Sequence, residues 1–325
     1  MTALLIMFII FVLLLLIILG FSYYAYRTAF YMRSACTEKD LYAMPSALAK
    51  DPMSESIEKS MKRMLEIPCE PVTITSHDGL QLFGRYYHTA DGAPVQILFH
   101  GYKSNPYIDC SGGTYLARKL GHNVLVADQR AHGKSQGHTI TFGISERRDC
   151  LCWVHYVCKR FGSDTSVILA GLSMGAATVL MSADLPLPAN VKGIFADCPY
   201  ASPKSIIKEV CQSIHLLPGI LPSSVSLSPA LIYPFVKLGA RIYGHFDLEE
   251  TDAVTAVSKT RIPILLIHGE GDNFVPCSMS REIYAACASP ATLVTVPDAG
   301  HGMSYLTAPE IYEQAVTTFI TDILI

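Results

Sequence analysis

The sequence predicts an α/β chain: a mostly parallel central sheet with helices on both faces, preceded by one membrane-spanning helix. Three observations carry that expectation. Short runs that are apolar throughout recur near residues 95–99, 123–128, 166–171, 191–197, 263–268 and 291–296, with helix-forming stretches between them. Strands that are apolar on both faces and alternate with helices belong to a largely parallel sheet covered on both sides. Ahead of them, residues 72–75 and 80–87 form an opening hairpin around Ser76-His77-Asp78-Gly79. At the N-terminus, residues 3–19 contain no charge, and with Gly20 and Phe21 they are long enough to cross a bilayer as a helix.

Taken in order, residues 1–26 read as a transmembrane anchor. Tyr23, Tyr24 and Tyr26 supply an interfacial aromatic cluster, and Arg27 and Arg33 follow it. A cleaved signal peptide fits less well, because no Lys or Arg precedes the apolar run and no small-x-small site closely follows it. Ala35-Cys36 stands too far from the run, beyond Arg33, to be a lipid-modified cleavage site. Arg27, Arg33 and Lys39 lie just behind the span, so the charge asymmetry puts the rest of the chain on the cytoplasmic side of a single-pass protein. Residues 27–71 are a connector. Within it, 54–65 form an amphipathic helix with Ile57, Met61, Met64 and Leu65 on one face, expected to pack on its own domain, with the membrane surface as the alternative.

The chemistry centres on residues 171–175, Gly-Leu-Ser-Met-Gly, between an apolar strand run and the helix-forming stretch from Ala176 to Met181. A chain that leaves a strand and enters a helix within two residues forces the central residue into strained geometry. Glycines at 171 and 175 remove the clashes that would forbid the turn, so Ser173 projects its hydroxyl above the sheet edge. A serine is a poor nucleophile at neutral pH and needs a base, and the base needs an orienting group. Asp272, in the loop after 263–268, and His301, after 291–296, follow Ser173 in that order along the chain. For an oxyanion, the expected donors are the backbone amides of Met174, at the first turn of the helix, and Tyr102, in the His100-Gly101-Tyr102 loop.

From residue 72 to the end these pieces, with Asp128-Gln129-Arg130-Ala131-His132-Gly133-Lys134-Ser135, His268-Gly269 and Gly300-His301-Gly302, resemble the α/β-hydrolase superfamily. The resemblance is in particular to its membrane-anchored serine hydrolases of the monoacylglycerol-lipase-like and acyl-peptidase-like type. It implies a Ser173, Asp272, His301 triad, hydrolysis through an acyl-enzyme, and no metal or organic cofactor. His100 competes as base but precedes the serine, whereas the superfamily places the base last. Asp197 competes as acid, because some members take it from the strand at 191–197. The 128–135 stretch is expected to hold the loop beside the site through a turn and an Arg130 pairing, without a catalytic role.

The alternation is broken by residues 202–245, where five prolines stand among many apolar residues, in the place where this superfamily inserts caps. A candidate cap would exclude water and bind an acyl chain; ordinary helices between strands are the alternative. The rest of 72–325 forms the catalytic domain. Composition removes other classes. Lys and Arg are scattered, no P-loop or dinucleotide fingerprint occurs, and nothing points to nucleic acid. The ten cysteines show no disulfide framework and no zinc spacing. The expected activity is hydrolysis of a carboxylic ester or thioester with an apolar portion, its partner a small acyl substrate such as a lipid. A peptidase or amidase with the same triad, or a non-enzymatic membrane-tethered interaction protein, are the alternatives.

Overall fold

The computed structural model describes residues 2–33, 44, 49, 52–213 and 228–324. Helix α1 (Thr2–Ala29) leads, followed by α2 (Ser54–Leu65), β1 (Glu70–Thr75), β2 (Gln81–Tyr87) and β3 (Val95–Phe99). Then come α3 (Pro106–Asp109), α4 (Ser111–Lys119), β4 (Asn123–Ala127), α5 (Glu146–Phe161), β5 (Val167–Leu172), α6 (Met174–Met181) and β6 (Val191–Asp197). The chain continues through α7 (Pro203–Ser213), α8 (Pro229–Tyr243), α9 (Ala253–Val257), β7 (Ile264–Gly269), α10 (Cys277–Ala286), β8 (Ala291–Val296), α11 (Ser304–Thr307) and α12 (Pro309–Leu324). Expected and observed strand ends differ by no more than two residues.

The eight strands form one sheet in the order β1-β2-β4-β3-β5-β6-β7-β8. β2 runs antiparallel to both β1 and β4, and every pairing from β4 to β8 is parallel. The apolar runs follow from this burial. Successive strand residues point to opposite faces, so Leu125, Ala127, Val167 and Leu169 join one core while Val124, Val126, Ile168 and Ala170 join the other. Fully buried Trp153 of α5 anchors the first core, and Tyr312 and Ile320 of α12 pack in the second.

Helix α2 lies on the second face, with Ile57, Met61 and Met64 buried. Leu65 departs from the expected face and is 43% exposed. At about 100° per residue, Leu65 stands about 40° outside the arc set by Ile57, Met61 and Met64.

The largest departure concerns α1. Its first four turns present an exposed apolar surface, including Leu4, Phe8, Phe11 and Leu15. The helix then continues three residues past the expected boundary at 26 and enters the domain. Ser22, Ala25 and Tyr26 are buried, so Tyr26 leaves the expected interfacial belt while Tyr23 and Tyr24 remain exposed. The cause is a close crossing with α8. A side chain at Gly239 would stand 2.4 Å from the Ser22 carbonyl oxygen, and the Tyr243 hydroxyl donates to the Leu19 carbonyl at 3.2 Å. Phe21 meets Phe235 edge to face at 5.0 Å between centroids. Beyond the helix, Tyr31 bridges Thr139, and the Tyr26 and Thr139 hydroxyls are 2.8 Å apart. The candidate cap contributes α7 and α8; residues 214–227, with Ile214, Leu216, Leu217, Ile220 and Leu221, lie outside the described residues, as does Ala35-Cys36.

Candidate active site

The turn between β5 and α6 requires its glycines. A Cβ at Gly171 would stand 2.3 Å from the Gly175 carbonyl carbon, and one at Gly175 would stand 2.0 Å from the Phe99 oxygen. With both side chains absent, α6 starts directly against β3 and Ser173 adopts φ 55°, ψ −113°. A non-glycine residue in such a region carries a strain of about 1–3 kcal/mol and persists only where the surroundings enforce it. Here the Ser173 amide donates to the Asp197 carbonyl at 2.8 Å, and the Ser173 carbonyl accepts from Ala177 at 2.9 Å.

Residues far apart in sequence meet at this turn. His301 Nε2 lies 2.9 Å from Ser173 Oγ, and His301 Nδ1 lies 2.7 Å from Asp272 Oδ2. With Nδ1–H donating to the carboxylate, Nε2 is the acceptor for the serine hydroxyl. The Asp272 carboxylate is fully engaged: Oδ1 accepts from the amides of Phe274 and Val275 at 2.9 and 2.8 Å. Oδ2 also has His268 Nε2 at 3.3 Å. Burial pushes the Asp272 carboxyl up, but the hydrogen bonds from His268 and His301 outweigh it and hold the group well below the usual carboxylate range. It therefore stays ionised beside the imidazole.

Neither rival is placed for the same task. His100 is fully buried, donates from Nδ1 to the Gly101 carbonyl at 2.9 Å and accepts the Gln129 amide on Nε2 at 3.1 Å. Burial lowers it to about 4, so it is a neutral structural tie between two loops. Asp197 accepts from the Tyr312 hydroxyl at 3.0 Å, and burial raises it to about 6. No hydrogen bond joins its carboxylate to His301.

The loop at 100–104 runs beside the serine, since a side chain at Gly101 would stand 3.4 Å from Ser173 Cβ. The Gly101 amide donates to Asp109 Oδ2 at 2.7 Å, and the Lys103 amide donates to His132 Nε2 at 3.0 Å. Between them, the Tyr102 amide donates to no acceptor among the described residues, and neither does the Met174 amide at the start of α6. Sequence inspection missed these supports. Asp109 is a single side chain outside every motif read in the sequence, whereas His132 and His268 lie in the 128–135 and His268-Gly269 pieces, with no individual role assigned to either.

Arg130 pairs as expected, with Asp149 through two contacts at 2.6 and 2.7 Å and with Asp78 of the opening hairpin at 2.9 Å. Asp128 accepts from Arg85 at 2.6 Å and from the Lys134 amide at 2.9 Å. The 128–135 loop is thereby pinned to β2, α5 and the hairpin. His77, Asp78 and Asp149 offer donor atoms close enough for a metal ion, but both carboxylates are already engaged by the Arg130 guanidinium. Cys198, Asp272 and His301 form a second such group, in which the carboxylate and imidazole are committed to each other.

Ser173 stands between two cavities. One, about 260 Å³, runs under His301 and is lined by polar and apolar groups including Ser104, Asp109, Ser111, Tyr305 and Leu306. The other, about 190 Å³, is almost wholly apolar. Its walls come from α7 (Ile206, Val210), α8 (Ile232, Val236) and the last turns of α1 (Ala25, Ala29). Tyr102 and Phe274 border both.

Residues 96–315 match the model of the alpha/beta hydrolase family. The chain is 26% identical over 266 residues to the uncharacterised protein YqkD of Bacillus subtilis, covering 82% of this chain and 81% of that one. It is 24% identical to the bifunctional esterase/perhydrolase DCH of Acinetobacter calcoaceticus, over 71% of this chain and 92% of that protein. Among solved structures, the Pyrococcus furiosus esterase Pf2001 superposes with a TM-score of 0.63 at 24% identity, covering 80% of this chain and 94% of its own. Est1E of Butyrivibrio proteoclasticus with bound ferulic acid gives 0.57 at 20% identity, covering 78% and 99%.

Proposed function

The chain belongs to the α/β-hydrolase family, and from that premise we propose that it is a membrane-tethered serine hydrolase of carboxylic esters or thioesters with an apolar portion. The observation that carries the proposal is the line of contacts Ser173 Oγ, His301 Nε2, His301 Nδ1, Asp272 Oδ2, at 2.9 and 2.7 Å. His301 takes the hydroxyl proton as Ser173 Oγ attacks the carbonyl carbon, and ionised Asp272 stabilises the imidazolium that forms. The amides of Tyr102 and Met174 hold the oxyanion. His301 then gives its proton to the leaving oxygen or sulfur, the C–O or C–S bond breaks, and an acyl-enzyme remains. Water attacks the acyl carbonyl by the same route and releases the acid and free Ser173.

Ester chemistry is supported by the named activities of DCH and the Pyrococcus esterase, and an apolar substrate portion by the apolar cavity at Ser173. Tethering is supported by α1, long and apolar enough to cross a membrane and exposed along that stretch. The positive charges that follow it favour a cytoplasmic catalytic domain, formed by 72–325 with α7 and α8 as its cap. The narrower likeness to monoacylglycerol-lipase-like and acyl-peptidase-like serine hydrolases belongs to this proposal. Purified full-length protein should label with a fluorophosphonate probe and hydrolyse p-nitrophenyl esters. Ser173→Ala should abolish both without loss of the thermal unfolding transition; labelling that persists rejects the assignment.

A further inference from the structure

We propose that the last two turns of α1 are a wall of the acyl-binding pocket, so that the membrane helix itself takes part in selecting a medium-chain acyl group. The inference rests on the hydrolase reading above and deepens it. Ala25, Thr28 and Ala29 line the apolar cavity that opens at Ser173, and small residues there leave the space that a longer side chain would fill. The same turns are fastened to the loop carrying the proposed oxyanion donor. The Tyr102 hydroxyl donates to the Ala29 carbonyl at 2.7 Å, and Lys103 Nζ donates to the Thr28 carbonyl at 2.8 Å. These bonds satisfy two carbonyls that the end of a helix leaves without intrahelical partners. The cavity wall is therefore held in a fixed position relative to the serine.

The occupant follows from the shape and chemistry of the cavity. At about 30 Å³ for each water- or methylene-sized unit, a volume of about 190 Å³ holds roughly six such units. Its lining offers little to a polar leaving group, whereas the cavity under His301 carries serine, aspartate and tyrosine groups suited to one. The acyl chain therefore lies along α1, and the alcohol or thiol leaves toward α11. From Phe21 to Ala29 the helix advances about 12 Å, so a span ending near Phe21 sets the pocket close to the lipid headgroups. An acyl chain partitioned into the bilayer has a short path to it.

The test uses full-length enzyme in phosphatidylcholine vesicles and p-nitrophenyl esters from acetate to dodecanoate, with kcat/KM read for each. Wild type should gain about fourfold per added methylene up to roughly octanoate and then level off. Ala29→Phe, which intrudes from α1, should lower the octanoate-to-acetate ratio by at least about tenfold, the worth of two displaced methylenes. Thr28→Phe, at an exposed position on the same turn, should lower that ratio in the same direction and serves if the first variant fails to fold. An unchanged ratio in either folded variant, or a wild-type profile flat with chain length, overturns the proposal. Acetate turnover that is lost in Ser173→Ala keeps the hydrolase reading intact in that event, whereas turnover that survives Ser173→Ala removes the parent reading instead.

Discussion

Gly175→Ala offers a direct measure of how tightly the turn at Ser173 is built. The added Cβ would lie 2.0 Å from the Phe99 carbonyl oxygen, 2.5 Å from its carbon and 2.8 Å from the His100 oxygen, whereas ordinary contact begins at 3.4 Å. All three are backbone atoms of β3 and the loop after it, so no side chain can turn aside. Relief requires the start of α6 and β3 to separate by about 1.4 Å along the shortest contact. Overpacking of this kind costs about 1–3 kcal/mol, equivalent to a fall of about 3–10 °C in Tm for a domain of this size. The same displacement moves Ser173 Oγ away from His301 Nε2 and the Met174 amide away from its proposed oxyanion position, and a misplacement of about 1 Å costs about 100-fold in rate. Fluorophosphonate labelling rates and p-nitrophenyl acetate hydrolysis measure the second effect, and thermal unfolding measures the first. Gly20→Ala is the control, because nothing lies within 4 Å of a Cβ at that position. A Gly175→Ala enzyme that labels at the wild-type rate with an unchanged Tm refutes the packing account of the turn.

Asp272 links stability to acid. Its carboxyl is held below the usual range in the fold, so the unfolded chain binds the extra proton first. The resulting stability is fully present above the ordinary carboxylate pKa of about 4 and is lost as pH falls through the lower folded value. Asp272→Asn should therefore show a shallower loss of Tm between about pH 5 and pH 3 than wild type, together with slowed labelling at neutral pH; parallel Tm curves would contradict it. Arg130→Met should remove the guanidinium partner of Asp149, which is 3% exposed, and leave its buried carboxylate with only His77 Nδ1, at 3.6 Å. The expected cost is about 3–5 kcal/mol, read from urea unfolding, and a loss below about 1 kcal/mol would show that the pair contributes little.

Much of this was legible along the chain because the signals were local. Two-faced burial makes a strand apolar throughout, so the six parallel strands announced themselves and the hairpin was marked by its Ser-His-Asp-Gly turn. The glycines at 171 and 175 exposed the position of Ser173, since only close backbone approach demands them there. Asp272 and His301 were readable from their places after consecutive strands. What sequence could not supply were contacts across long separations without a repeating pattern. Asp109 supports the site through its bond to the Gly101 amide, and nothing in its neighbourhood distinguishes it from ordinary polar residues; His132 and His268 stand in motifs that were read, but their contacts with the Lys103 amide and with Asp272 were not legible there. The end of α1 was hidden for another reason: an uncharged apolar run looks the same whether lipid or protein covers it. Its crossing with α8, more than two hundred residues away, and the contact of Tyr26 with Thr139 assign Ala25 and Tyr26 to the protein interior.

The contact between Ser22 and Gly239 makes helical phase matter. Each residue advances an α-helix by about 100°, so one alanine inserted between Phe21 and Ala25 would swing the apolar run around its axis relative to the domain, or else twist Ala25 and Ala29 off the cavity. A tether joined through a slack connector would absorb such an insertion without effect. Here, the orientation of the hydrolase domain and the rotational setting of the apolar run are one variable. A chimera that borrows a foreign apolar helix must match its periodicity through Ala29, and matching hydrophobicity or length alone is not enough.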